Sequence, residues 1–177
     1  YWYGDLEAVA TCVSDPFTDR YALPPIPYDP AKFYIGGLEF EKTAIHSKPE
    51  RMMTDRQGMA GFPDGKWSGG KQLTCFGGYP GDEISFIYDD FANGKYEVTP
   101  YATKARDYGK VVYSLNGNEV LEFDGYDPKV VNSGPLSLGE IEIVDGKLRL
   151  DVTISGKNDL SIGYMFGLDC IEVNKLD

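Results

Sequence analysis

The chain of 177 residues has a single histidine, His46. A metal centre built on two histidines is therefore excluded, and no imidazole-based nucleophile triad presents itself. GxSxG, HExxH and phosphate-binding glycine loops are all absent. No apolar run approaches the length of a membrane span, and no positively charged leader opens the chain. Its first residues, Tyr1-Trp2-Tyr3-Gly4, read as the interior of a longer protein, with any signal peptide upstream.

Cysteine is scarce as well. Cys12, Cys75 and Cys170 are odd in number and none stands at a CxxC spacing, so they neither frame zinc nor all pair with one another. Cys75 and Cys170 lie in apolar, strand-like runs and are expected to be buried, while Cys12 is either free or paired with one of them. Positive charge is thin: 17 Lys and Arg against 28 Asp and Glu leave a formal net charge of −11, with the basic residues scattered. Nucleic acid and anionic membrane surfaces are poor partners for such a chain. A neutral glycan, a divalent cation or a merely solubilising surface all suit it.

What is present points to β structure. Residues 1–32 hold five of the 11 prolines, including Leu23-Pro24-Pro25-Ile26-Pro27, and read as a Pro-rich linker or extended N-terminal arm. Residues 33–177 change texture to short apolar stretches separated by Gly, Asn and Asp. Period-two alternation recurs in Ile84, Phe86 and Tyr88, in Tyr96 and Val98, and in Val111 and Tyr113. Asn116-Gly117 and Asp145-Gly146 each carry the chemistry of a type I′ turn, which predicts two hairpins. In the second, Ile141 and Ile143 are matched across the turn by Leu148, Leu150, Val152 and Ile154. One buried and one wet face on each strand predicts an all-β, antiparallel sandwich of eight or nine strands with no amphipathic helix. The longest break, His46 to Gly70, reads as a loop.

Carboxylates and aromatics are the candidate chemistry. Glu39 and Glu41 flank Phe40 in what reads as the first strand, which places them on one face. Two such acids need either a hard cation such as calcium or a basic neighbour, Lys42 or Lys71, to offset their repulsion. The other acid pairs, such as Asp89-Asp90 and Asp124 with Asp127, sit beside turns, where Asp is favoured for backbone reasons alone. Phe62, Trp67, Tyr79, Tyr126, Tyr164 and Phe166 are aromatics in loop-like settings, suited either to stacking on the C–H face of a sugar or to ordinary packing.

Leu38-Glu39-Phe40-Glu41, Asn93-Gly94-Lys95-Tyr96 and Gly167-Leu168-Asp169-Cys170-Ile171, in that order, resemble the β-jelly-roll carbohydrate-binding modules of families 6 and 35, in the galactose-binding-like superfamily. Asp107-Tyr108-Gly109, Asp124-Gly125-Tyr126 and Gly163-Tyr164-Met165-Phe166 are similar to a domain that accompanies bacterial glycoside hydrolases of the difructose-dianhydride hydrolase and D-arabinofuranosidase type. The resemblance implies a structural Ca2+ held by Glu39, Glu41 and Asp169, and a glycan site near Trp67, Asn158 and Tyr164. It also implies a non-catalytic accessory domain of a secreted or cell-surface bacterial enzyme, with a glycan and a neighbouring domain or protomer as partners. Two other readings compete: a purely structural packing domain, and a contribution to a glycosidase active site through Glu50, Asp55 and Asp64.

Overall fold

A computed structural model describes residues 37–177. Twelve strands and two 3-10 turns make up the described chain, with no α-helix. The strands are β1 (Leu38–Glu39), β2 (Ile45–Ser47), β3 (Met53–Gly58), β4 (Lys71–Phe76), β5 (Glu83–Tyr88) and β6 (Gly94–Lys104), followed by β7 (Lys110–Leu115), β8 (Asn118–Asp124), β9 (Val131–Pro135), β10 (Glu140–Ile143), β11 (Leu148–Gly156) and β12 (Phe166–Lys175). They form a seven-stranded sheet ordered β10-β6-β12-β4-β3, with β1 added to β12 and β9 to β6, and a five-stranded sheet ordered β2-β5-β11-β7-β8. All named pairings are antiparallel.

The expected antiparallel sandwich is thus observed, with more strands than the eight or nine expected. The additional ones are short or sit at edges. Met53–Gly58 lies within the stretch read as a long loop, yet it pairs along its whole length with β4. Its Met-Thr-Asp-Arg-Gln-Gly sequence carries no apolar alternation because it is an edge strand with little buried surface.

Alternation places the core. Ile84 and Phe86 on β5, Val111 and Tyr113 on β7, and Leu148, Leu150, Val152 and Ile154 on β11 are all buried. They meet Leu73 and Cys75 of β4, Tyr96, Val98 and Ala102 of β6, and Phe166, Leu168 and Ile171 of β12 in one cluster. Each fully buried aliphatic side chain contributes about 2 kcal/mol of transfer free energy.

Only one of the two expected hairpins forms. Asn116 (φ 47°) and Gly117 (φ 84°) join β7 to β8 in a two-residue turn. Gly146 also has positive φ, 72°, but β10 pairs with β6 while β11 pairs with β5 and β7. Asp145-Gly146 therefore carries the chain from one sheet to the other. Facing sheets both bury alternate residues, so matched alternation on either side of a turn does not distinguish a crossing from a hairpin.

A bulge in β12 shifts parity once more. Its pairing with β6 moves from Leu168↔Ala102 to Ile171↔Pro100. Leu168 and Ile171 both join the core despite their odd spacing, and Asp169 and Cys170 are left together outside it. Cys170 is buried as expected, but outside the core cluster that holds Cys75. Both are free thiols. Cys12 and the Pro-rich arm fall outside the described residues.

The Tyr113 hydroxyl is buried with no hydrogen-bond partner. An orphaned polar atom in a core carries a desolvation cost with nothing to offset it. Tyr113→Phe is expected to raise unfolding free energy by about 1 kcal/mol in a denaturant melt; a loss of stability would show that the hydroxyl is satisfied in solution.

Candidate functional site

Glu39 is on β1, but the strand stops there. Phe40–Lys42 form a 3-10 turn that sends Phe40 into the core and buries Glu41 as well. The two acids are therefore not adjacent same-face residues of one strand, as the alternation had implied; they are brought near each other by the turn. A second 3-10 turn, Ser68–Gly70, lies against them, with Gly69 and Gly70 at φ 59° and 68°. From it the Ser68 hydroxyl donates to Glu39 Oε1 at 2.5 Å and the Ser68 N–H donates to Asp169 Oδ1 at 2.9 Å. Asn132 Nδ2 donates to Asp169 Oδ2 at 2.8 Å.

Three carboxylates thus share a buried neighbourhood. Burial pushes the Asp169 carboxyl up to about 8, opposed by its bonds from Ser68 and Asn132 and reinforced by the charges of Glu39 and Glu41. Burial also raises Glu41, while Lys42 and Lys71 offset part of this. The basic neighbours weighed from the sequence therefore do act here, and incompletely. Glu39 Oε2 and Glu41 Oε2 are buried with no hydrogen-bond partner. Among the described residues no group of three His, Cys, Asp or Glu side chains stands in metal-holding geometry. The donor chemistry nonetheless fits a hard cation: all oxygen, with two orphaned carboxylate atoms. A cavity of about 530 Å³ opens beside Asp169, with Lys66, Tyr101, Asn132 and Cys170 in its wall.

The expected glycan residues separate. Trp67 is 2% exposed, edge-on to Phe62, and its indole N–H donates to Thr103 Oγ1 at 2.7 Å. Its ring is structural and no stacking platform for a sugar. Phe166 is likewise a core residue. The Asn158 amide is used locally: Nδ2 donates to Asp124 Oδ2 at 2.8 Å and Oδ1 accepts from Leu160 N–H at 3.0 Å. Tyr164 does reach the surface, half-buried, with its ring centroid 6.2 Å from that of Tyr79, which is 58% exposed. Asp82 holds the Tyr79 loop: it accepts from Arg51 and from the Tyr79 N–H at 2.9 Å, and these bonds, Arg51's first, keep its carboxyl below the usual range.

A further cleft of about 230 Å³ lies outside the seven-stranded sheet. Phe62, Met165 and Val130 are among its apolar walls, and Gln57, Gln72 and Tyr108 are among its polar lining, with Arg106 and Asp107 beside them. Met59, Trp67 and Tyr108 are buried around it and form a small second core over Gln72, Thr74 and Thr103. Gly167 makes room for this packing, since a Cβ there would collide with Gln72 Oε1 and stand 3.0 Å from Tyr108 Oη. Phe62 was legible as a loop aromatic. Gln57 and Gln72 were not: an amide in an exposed edge strand and another in a strand next to it carry no sequence signal until the loops that cover them are placed.

Solved structures share this sandwich. A Paenibacillus xanthan lyase superposes with a TM-score of 0.68 at 23% identity, over 87% of this chain and 14% of that one. The CBM36-1 domain of a multidomain xylanase from the hindgut metagenome of Trinervitermes trinervoides gives 0.51 at 11% identity, over 79% and 96%. This is the fold of carbohydrate-binding modules. A Paenibacillus cycloisomaltooligosaccharide glucanotransferase, solved with cycloisomaltoheptaose, gives 0.50 at 14% identity, over 79% of this chain and 18% of that one. No family model and no curated protein matches the sequence. The module fold accounts for two facing sheets with loops and turns free to vary around them. Among the described residues no helix is long and apolar enough to cross a membrane.

Because the Trp67 ring fills the second core, Trp67→Ala is expected to cost about 3–5 kcal/mol of stability, read by chemical denaturation. A folded, undestabilised Trp67→Ala would return the ring to the list of surface ligand-binding candidates.

Proposed function

We propose that this chain is a non-catalytic carbohydrate-binding domain that takes a sugar unit in the cleft between Phe62, Met165, Gln57 and Tyr108. The observation that carries this reading is the cleft itself: a volume of about 230 Å³, apolar on its walls and lined with amide, phenol, guanidinium and carboxylate groups. That combination matches a pyranose, whose C–H faces pack on apolar side chains while its hydroxyls are read by polar ones. Tyr79 and the half-buried Tyr164 form a separate aromatic pair, their ring centroids 6.2 Å apart.

Binding without bond cleavage is favoured by the distribution of acids. Glycoside hydrolysis takes two carboxyl groups held across the scissile bond, and among the described residues Asp107 is the one carboxylate lining the cleft. Of the acids weighed for a glycosidase, Glu50 lies in the turn before β3, Asp55 on exposed β3, and Asp64 is paired with Lys129 at 3.4 Å. We further propose that Glu39, Glu41 and Asp169 hold a structural calcium ion. When bound, the cation supplies the positive charge that three buried carboxylates lack. The setting we propose is that of an accessory domain in a secreted bacterial glycoside hydrolase, packed against a neighbouring domain or protomer.

A glycan array followed by calorimetry tests the binding reading. A reproducible hit whose affinity falls about tenfold or more in Phe62→Ala, the loss of an apolar wall, is the expected result; silence across a broad array sinks it in favour of a purely structural domain. For the cation, calcium is expected to raise the melting temperature measured in chelator, and Asp169→Ala is expected to abolish that rise. An equal rise in the variant would move the ion elsewhere.

A further inference from the structure

The polar side of the cleft is backed by a chain of hydrogen bonds whose direction is set at one end. An indole N–H donates and has no acceptor capacity, and that of Trp67 reaches Thr103 Oγ1 at 2.7 Å. The Thr103 hydroxyl accepts there, so its one proton goes on to Gln72 Oε1. This fixes the other terminal atom of Gln72 as the amide nitrogen. Gln72 Nε2 has two protons for three acceptors within reach, Gln57 Oε1 at 2.8 Å, Tyr108 Oη at 3.0 Å and Thr74 Oγ1 at 3.1 Å. The Thr74 hydroxyl donates to the same Gln57 oxygen at 2.7 Å.

Gln57 Oε1 therefore receives two bonds, which uses both its lone pairs. Turning the Gln57 amide over would set its N–H groups against the Gln72 amide nitrogen, which can only donate. Its orientation is settled by a tryptophan on a different segment of the chain, through two intervening side chains, Thr103 and Gln72. What remains is Gln57 Nε2. It has no hydrogen-bond partner among the described residues and is not among the buried unsatisfied atoms, and Gln57 lines the cleft.

We propose that Gln57 is a specificity-determining residue of the cleft: it offers the ligand two N–H donors and no acceptor, and so reads an acceptor oxygen of the sugar. Trp67, Thr103 and Gln72 are positioning residues that hold this polarity from behind. The inference rests on the carbohydrate reading of the cleft and adds the sense of one contact. A ring oxygen or a glycosidic oxygen, which has lone pairs and no proton, satisfies Gln57; a bare ammonium or N–H group there is rejected, because donor would face donor.

Gln57→Glu isolates the claim. It keeps the oxygen that Gln72 and Thr74 bond and replaces Nε2 with a second oxygen of nearly the same size. The probes are the methyl pyranosides of glucose, galactose, mannose and xylose, together with any array hit, titrated into the full chain. Wild-type binding that weakens at least about tenfold in Gln57→Glu, the cost of leaving a buried acceptor unpaired, is expected. Wild-type binding that Gln57→Glu retains overturns the inference and leaves the carbohydrate reading standing, whereas silence from the wild type sinks both. A second readout needs no sugar: with 15N-labelled glutamine, the side-chain amide protons of Gln72 should exchange slowly and those of Gln57 freely. Protected Gln57 amide protons in the free protein would show that Nε2 is turned inward, and would overturn the assignment of polarity.

Discussion

Strand β12 is the element on which the rest of the sandwich depends. It pairs with β6 along one edge and with β4 and then β1 along the other, so it is the seam of the larger sheet. Its bulge lets Leu168 and Ile171 both seal the core while Asp169 and Cys170 are turned out together. Without that shift in parity, Leu168 and Ile171 could not both face the core.

The fold was legible where one face of a strand is buried and the other wet. Ile84, Phe86, Val111, Tyr113 and the run Leu148 to Ile154 lie in the core as their alternation implied. It was not legible where burial comes from both sides or from neither. β3 has no apolar face because it is an edge, and the Asp145-Gly146 crossing looks like a hairpin because facing sheets bury alternate residues alike.

The site shows the same division. Asp169, Glu39 and Glu41 were named as a set, and the structure draws them into one buried neighbourhood, although a 3-10 turn and not strand alternation brings Glu41 there. Trp67 was named for the wrong reason. A tryptophan in a Gly-rich loop reads as exposed, but here the loop folds over the outside of the sheet and turns the ring inward. The glutamines beneath it acquire meaning only once Trp67 is placed, because a polar network is specified by its members jointly and no one of them carries a pattern.

The pairing of β1 with β12 has a temporal consequence for biosynthesis. Both partners of the seam, β4 and β6, and the short β1 that extends it are made long before β12. During translation the larger sheet stands divided, with β6, β9 and β10 on one side and β3 and β4 on the other, each exposing an unpaired edge. Loop closure over more than a hundred residues must precede the last pairing, the regime in which folding is slow and edges are open to wrong partners. Until β12 is in place, the edges of β4 and β6 that it joins stay unpaired, and the closing of the larger sheet waits on the most C-terminal of the described strands.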